Sequence, residues 1–190
     1  MIEQKGWHSR GYLPHFDSSE TVQFITFRLA DSLPRHLIEA WRAEDDAVAL
    51  LDRELDAGFG ACWLRKPEIA DMVQEALLHF DADRYRLLAW CIMPNHVHVV
   101  LKMLDHHSLS VIVKSWKSFP SRRANAHLGR AGPFWEADYF DRYMRNEKHL
   151  LQTIEYVEHN PVKAGLVDVP TAWRWSSAYE ARAFRSAHES

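Results

Sequence analysis

Apolar and polar positions along the chain fall into two rhythms, one of period two and one near 3.6. Residues 21–29, TVQFITFRL, are dense in β-branched and aromatic side chains and predict a strand. Ser32, Leu33 and Pro34 then open a helix, with Ser32 as cap and Pro34 in the first turn. Leu37, Trp41, Val48, Leu51 and Leu55 recur at roughly helical spacing to about Asp56, and Gly58 and Gly60 break the pattern. A second helix begins near Pro67, where Ile69, Met72, Val73, Ala76, Leu77 and Phe80 make an amphipathic stripe. Residues 84–93 and 95–103 read as two strands separated by Pro94 and Asn95, a break short enough for an antiparallel hairpin.

The rest of the chain follows the same logic. Leu109, Ile112, Val113 and Trp116 mark a helix over about 109–118 that Pro120 kinks or ends. The stretch 121–132 is basic and polar. An extended piece over 134–144 leads to a helix from about Glu147 to Asn160, stopped by Pro161 and turned by Gly165. Trp173 and Trp175 dock the C-terminal segment, and the final residues have no apolar period and should fray. Interleaved strands and helices with an antiparallel pair predict an α+β class, a small antiparallel sheet with helices on one face. Residues 33–66 are a helical elaboration after the first strand, and 171–190 form a C-terminal tail within a single domain spanning 1–190.

Composition narrows the class. Hydrophobic residues at 47% and charged residues at 26% exclude a disordered or fibrous chain. No apolar run is long enough to span a bilayer, and Met1 to Arg10 is too polar for a signal peptide, so no membrane role is expected. Cys62 and Cys91 make neither a disulfide framework nor a paired metal spacing, which fits a reducing cytoplasm. The net charge of −3 does not by itself suggest nucleic acid. Its distribution says more: residues 102–145 carry 8 Lys and Arg against 4 Asp and Glu. Positive charge there permits a phosphate partner without demanding one.

Two constellations carry candidate chemistry. In PNHVHVV, strand alternation sends His96, His98, Val100 and Lys102 to one face and Val97, Val99, Leu101 and Met103 to the other. The second set is purely apolar and is expected to be the buried face. The first holds two imidazoles roughly 7 Å apart by backbone spacing, able to converge on one metal ion. Two hydrogen-bonded histidines near a sheet surface fit the same pattern. In IEYVEHNP, Tyr156 and Asn160 lie four apart on one helical face, beside the stripe of Leu150, Ile154 and Val157. That places Tyr156 at a cleft edge and gives Asn160 an amide oxygen able to complete a metal site. A boundary tyrosine and a helix-capping asparagine are the plainer alternative.

The runs WCIMPNHVHVVLKM, FWEADYFDRYMRN and YVEHNPVKAGLV together resemble the REP-associated tyrosine transposases, the single-tyrosine branch of the His-hydrophobic-His nucleases. The likeness covers the first strand and about 84–170. It implies a ferredoxin-like (RRM-like) sheet, with His96 and His98 as the metal-binding pair, Tyr156 as nucleophile and Asn160 as a further ligand. It also implies a DNA endonuclease and strand transferase acting on single-stranded DNA with hairpins through a 5′-phosphotyrosine intermediate, a divalent metal (Mg or Mn) and a homodimer. Imidazole ligands by themselves suit Mn²⁺ or Zn²⁺ better than Mg²⁺. Tyr139 and Tyr143 are rival nucleophiles on an extended segment. Lys102, Lys114, Lys117, Arg122 and Arg123 are the candidates for DNA-backbone contact. Phe119 and Trp116 are candidates for base stacking, with Trp116 on the apolar stripe and better read as core. Two other classes stay open: a non-catalytic nucleic-acid-binding regulator on the same fold, and a metal hydrolase of small phosphoesters using the same histidines. No phosphate-cradling Gly-rich loop is present.

Overall fold

The computed structural model describes residues 6–9, 14–17, 21–33, 53–104 and 107–181. The helix expected from Pro34 to about Asp56 lies outside these residues except for 53–56, which are helical, and the tail expected to fray lies outside them beyond residue 181. β1 (Gly6–Ser9) and β2 (Pro14–Asp17) form a separate antiparallel pair that the apolar pattern gave no sign of. The main sheet holds β3 (Val22–Arg28), β4 (Tyr85–Ile92), β5 (His96–Met103) and β6 (Phe140–Tyr143) in the order β4-β5-β3-β6, all neighbours antiparallel. Three longer helices accompany it: α1 (Pro67–Leu78), α2 (Leu109–His127) and α3 (Glu147–Lys163). The run β3-α1-β4-β5-α2-β6 in that strand order is the ferredoxin-like arrangement within the α+β class.

Its first core is the one the alternation predicts. Ile25, Phe27, Trp90, Val97, Val99 and Leu101 meet Ile69, Val73 and Leu77 of α1 and Ile112, Val113 and Trp116 of α2. Trp116 is fully buried, stacks near Phe27 and donates its Nε1–H to the Tyr85 hydroxyl at 2.8 Å. That hydroxyl donates in turn to the Leu77 carbonyl at 2.6 Å, tying both helices to the sheet.

The expectation of helices on one face holds for α1 and α2 but not for α3, and the expectation of one buried face is corrected. Phe24, Ala89, Cys91, Met93 and Val100 form a second core with Val157 of α3, joined by Leu150, Ile154 and Tyr156. The cause lies in the neighbouring strands. β5 alone offers a mixed row on this side, but β3 and β4 add enough apolar surface to require a cover.

Both proline boundaries also differ from expectation. α2 runs through Pro120 to His127 because Pro120 and Ala124 are buried on the same side as Trp116. Packing along that face outweighs a local cost of about 3 kcal/mol for an internal proline. The Trp135 indole donates to the Lys117 carbonyl, in the turn before Pro120, at 3.1 Å. α3 likewise continues past the buried Pro161 to Lys163. It ends at Gly165, whose φ of 67° lets its N–H reach the Val162 carbonyl while Leu166 N–H reaches that of Pro161. Within the extended piece expected over 134–144, the strand proper is β6. Trp173 does dock the C-terminal segment, donating to the Ile92 carbonyl at 2.9 Å, and Trp175 donates to Asp71 at 2.9 Å. Among the described residues no helix is long and apolar enough to cross a membrane.

Replacing Trp116 with Ala should cost about 3–5 kcal/mol of folding stability, read by urea denaturation. A loss under about 1 kcal/mol would contradict its place at the junction of both helices and the sheet.

Candidate active site

The site lies where β5 and β3 pass under α3. Cα pairing sets Thr26 opposite His98 and Arg28 opposite His96. Alternation along β5 turns both imidazoles toward α3, and both are fully buried. Their Nε2 atoms face each other at 3.0 Å. The far ring nitrogens are held from behind. His96 Nδ1 lies 2.8 Å from the Asn95 side-chain oxygen. Asn95 spends its own amide N–H on the Phe59 carbonyl at 3.0 Å. An amide oxygen only accepts, so His96 carries its proton on Nδ1 and presents a lone pair at Nε2. His98 Nδ1 lies 2.8 Å from the Thr26 hydroxyl, which can donate or accept. Phe24 stacks against His98 with ring centroids 5.4 Å apart.

α3 lowers a polar row onto this pair. The Tyr156 ring stands edge-on to His98 at 5.8 Å and to Phe24 at 6.2 Å, centroid to centroid. One turn on, Asn160 is fully buried, and neither its amide oxygen nor its nitrogen has a hydrogen-bond partner among the described residues. Leaving both unmatched costs on the order of 1–3 kcal/mol each unless something else binds there. Lys163, on the turn added beyond Pro161, lies 5.4 Å from the Tyr156 ring centroid and 3.4 Å from Asp56 Oδ2. Asp56 Oδ1 stands 4.0 Å from His96 Nε2.

This donor set fits a divalent ion. Two ligands at right angles on bonds of about 2.1 Å stand about 3.0 Å apart, the observed spacing of the two Nε2 atoms. Partners behind Nδ1 are what metal-binding histidines use to fix tautomer and orientation. Among the described residues no three His, Cys, Asp or Glu side chains form a ready-made cage, so the Asn160 amide is the natural third donor.

The rival tyrosines lie elsewhere. Tyr139 belongs to the first core, and Tyr143 pairs with Gln23, so it points away from the face that carries the histidines. The five basic candidates are not gathered at the site. Lys102 is half-buried near the far end of β5, across from Val22 and Arg86. Lys114 and Lys117 line an open cleft of about 550 Å³ between α2 and residues 132–139, on the opposite side of the sheet. Lys117 Nζ donates to the carbonyls of Glu136 at 2.6 Å and Ala137 at 2.9 Å. Burial pulls this ammonium down to about 8, with Asp138 and Glu136 opposing. Arg122 is exposed; Arg123 pairs with Glu75 at 2.8 Å and lies over the exposed Phe119.

Sequence reasoning missed Thr26, Asn95, Asp56 and Lys163 in this site. Lys163 was findable, since it falls seven residues after Tyr156 on the same helical face. Thr26 was findable only with the β3–β5 register. Asp56 ends the short helical stretch 53–56, and no local pattern encodes its approach to His96.

Residues 64–160 match the family described as Transposase IS200 like. The chain therefore belongs to the IS200-like transposases. It is 22% identical over 107 residues to the REP-associated tyrosine transposase of Escherichia coli (strain K12), an alignment covering 56% of this chain and 62% of that protein. A relative from Haemophilus influenzae is 24% identical over 106 residues, covering 49% of this chain and 58% of the relative. The chain thus spans about six-tenths of the curated relatives it matches. Its fold is similar to that of a REP-associated tyrosine transposase solved with a REP hairpin, with a TM-score of 0.58, 17% identity, and coverage of 89% of this chain and 83% of that one.

Burial holds both histidines neutral: His98 falls from its ordinary 6.5 to about 3 through burial and then Lys163. Burial, then His98 and Lys163, also keep His96 well below its usual value. As pH falls below 6.5 an unfolded chain binds protons on these rings, whereas folded His98 does not until about 3. Folding stability from this source should be level above 6.5 and decline progressively across that window. Thermal unfolding in EDTA should show this decline, reduced in a His96→Gln, His98→Gln double variant. An equal acid loss in both proteins would contradict the neutral, buried pair.

Proposed function

We propose that this chain is a metal-dependent nuclease and strand transferase for single-stranded DNA bearing hairpins, with Tyr156 as nucleophile. One observation carries the reading: two inward-facing imidazoles, an unmatched buried amide and a phenol meet in one pocket built by a single chain. Family membership supplies the class of reaction, and the hairpin-bound relative supports the substrate.

The pocket's residues divide the work. His96, His98 and Asn160 would hold a divalent ion, Mg²⁺ or Mn²⁺. When bound, that ion supplies Lewis-acid polarisation of the scissile phosphate. The Tyr156 oxygen attacks phosphorus, the bond to the 3′ oxygen breaks, and the phenol's proton is made up at the departing 3′-hydroxyl through solvent. The product is a 5′-phosphotyrosine bond, whose phenolate is a good enough leaving group for the step to reverse during strand transfer. Lys163 sets positive charge beside the ring, where negative charge gathers on phenolate and phosphate. Phe24 and Val157 keep the inner wall dry. Single-stranded substrate avoids the cost of opening a duplex before the phosphate reaches a pocket under a helix. The reading includes a homodimer, with each copy carrying its own tyrosine and histidines.

Lys102, Lys114, Lys117, Arg122 and Arg123 remain the proposed backbone contacts. Those on α2 lie on the far side of the sheet, which suits the hairpin stem better than the cleaved strand. Among them Lys117, with two short carbonyl contacts, should contribute least.

Incubation with a hairpin-bearing single strand and Mn²⁺ should give a protein–DNA adduct that survives SDS. Tyr156→Phe should abolish it, and the His96→Ala, His98→Ala pair should reduce it at least about a hundredfold. Adduct persisting in Tyr156→Phe would move the nucleophile elsewhere. Hairpin binding with no adduct under any metal would favour a binding protein over an enzyme.

A further inference from the structure

Lys163 meets two groups, and one of them lies outside the constellation that the sequence motifs define. Its Nζ stands 5.4 Å from the Tyr156 ring centroid, within cation–π reach, and 3.4 Å from Asp56 Oδ2. The lysine side chain is 54% exposed, whereas that of Asp56 is only 11% exposed. We propose that Asp56 is a positioning residue: its carboxylate fixes the Lys163 ammonium beside Tyr156, so that positive charge is already in place when the phenol oxygen reacts. This inference rests on the nuclease reading above and deepens it by naming what holds that charge.

Three observations lead there. The first is the contrast in freedom. A lysine head on a long flexible stem, half open to solvent, has many places to go, and an exposed partner would hold it only weakly. Asp56 is not an exposed partner. With most of its surface withdrawn from water, its charge is screened less and holds the ammonium harder. The second is anchoring. Asp56 follows the buried Leu55 at the end of the helical stretch 53–56. Gly58, with a φ of 73°, closes that stretch by donating its N–H to the Leu55 carbonyl. The chain beyond is tied to the histidine hairpin: Asn95 donates to the Phe59 carbonyl, and Leu64 N–H to that of Pro94. Gly60 passes so close to Asp31 that an added Cβ would stand 2.5 Å from its carbonyl oxygen. The carboxylate is therefore fixed to the same framework that carries His96 and His98.

The third is the direction of the charge. A carboxylate with no cation beside it, at the edge of a pocket meant for phosphate, would repel the substrate. Lys163 answers that charge, and the pair turns its positive end toward the Tyr156 ring. Asp56 works through Lys163 and not by ligating an ion: among the described residues no three His, Cys, Asp or Glu side chains are grouped to hold one.

Single-turnover adduct formation by the full chain tests this, on a hairpin-bearing single strand with Mn²⁺ over a range of DNA concentrations. Asp56→Asn should lower the maximal rate at least about tenfold and leave the half-saturating DNA concentration within about twofold, because a misplaced charge costs rate and not binding. In a Lys163→Gln background, already slow, Asp56→Asn should change the rate less than about twofold, since the carboxylate acts only through the ammonium. A purely structural Asp56 would slow both backgrounds alike. Should Asp56→Asn not fold, ¹⁵N relaxation of the lysine ammonium groups in the wild type decides. The Lys163 signal, assigned by its loss in Lys163→Arg, should be more ordered than those of the exposed Lys66 and Lys148. An unchanged or faster Asp56→Asn rate, an equal loss in both backgrounds, or a Lys163 ammonium as mobile as the exposed ones would overturn the proposal. With normal adduct formation by wild type, any of these would leave the nuclease reading standing. A wild type that forms no adduct would overturn both.

Discussion

The two imidazole nitrogens held 3.0 Å apart beneath α3 are the constraint on which the rest of the site depends. Burying two histidines beside a lysine is expensive unless both stay neutral, and burial is the main force keeping them so. A neutral imidazole pair in a dry layer is a poor structural choice for a protein seeking only stability, since an apolar pair would pack there at less cost. It is a good choice for a site that must receive a cation. Asn95 and Thr26 behind the rings, and Asn160 above them with its amide unmatched, make sense together on that basis.

The architecture serves that pocket. α1 and α2 close one face of the sheet with an ordinary apolar core. This frees the other face for chemistry, and α3 covers it with a row that is apolar toward Val157 and polar along Tyr156, Asn160 and Lys163. The two helical residues after Pro161 matter because they carry Lys163 to the Tyr156 ring. A helix stopping at Pro161 would leave the pocket with the Tyr156 phenol and the Asn160 amide but no cation beside them.

Much of this was legible in the sequence, and the limits have physical causes. The His-x-His alternation, the hairpin around Pro94, and the spacing of Tyr156 and Asn160 are local patterns, and local geometry carried them through. Covering of the second face was not legible in β5 alone, because Phe24, Ala89 and Cys91 are contributed by other strands. Pro120 and Pro161 read as boundaries because the local cost of proline is plain in sequence, whereas the packing of Ala124 or the docking of the last turn of α3 is not. The five basic candidates were dispersed by the fold, with Lys102 on β5 and Lys114, Lys117, Arg122 and Arg123 on α2 behind the sheet. The approach of Asp56 to His96 spans 40 residues, and no periodicity reports it.

The central claim is that the facing imidazole nitrogens form a metal site and not a hydrogen-bonded pair. A crystal structure of the chain with Mn²⁺, read by anomalous scattering, addresses it most directly. One peak within about 2.3 Å of both Nε2 atoms, with the Asn160 amide turned to it, is the predicted result. No peak there, with the two nitrogens still hydrogen-bonded to each other at saturating Mn²⁺, would contradict the account.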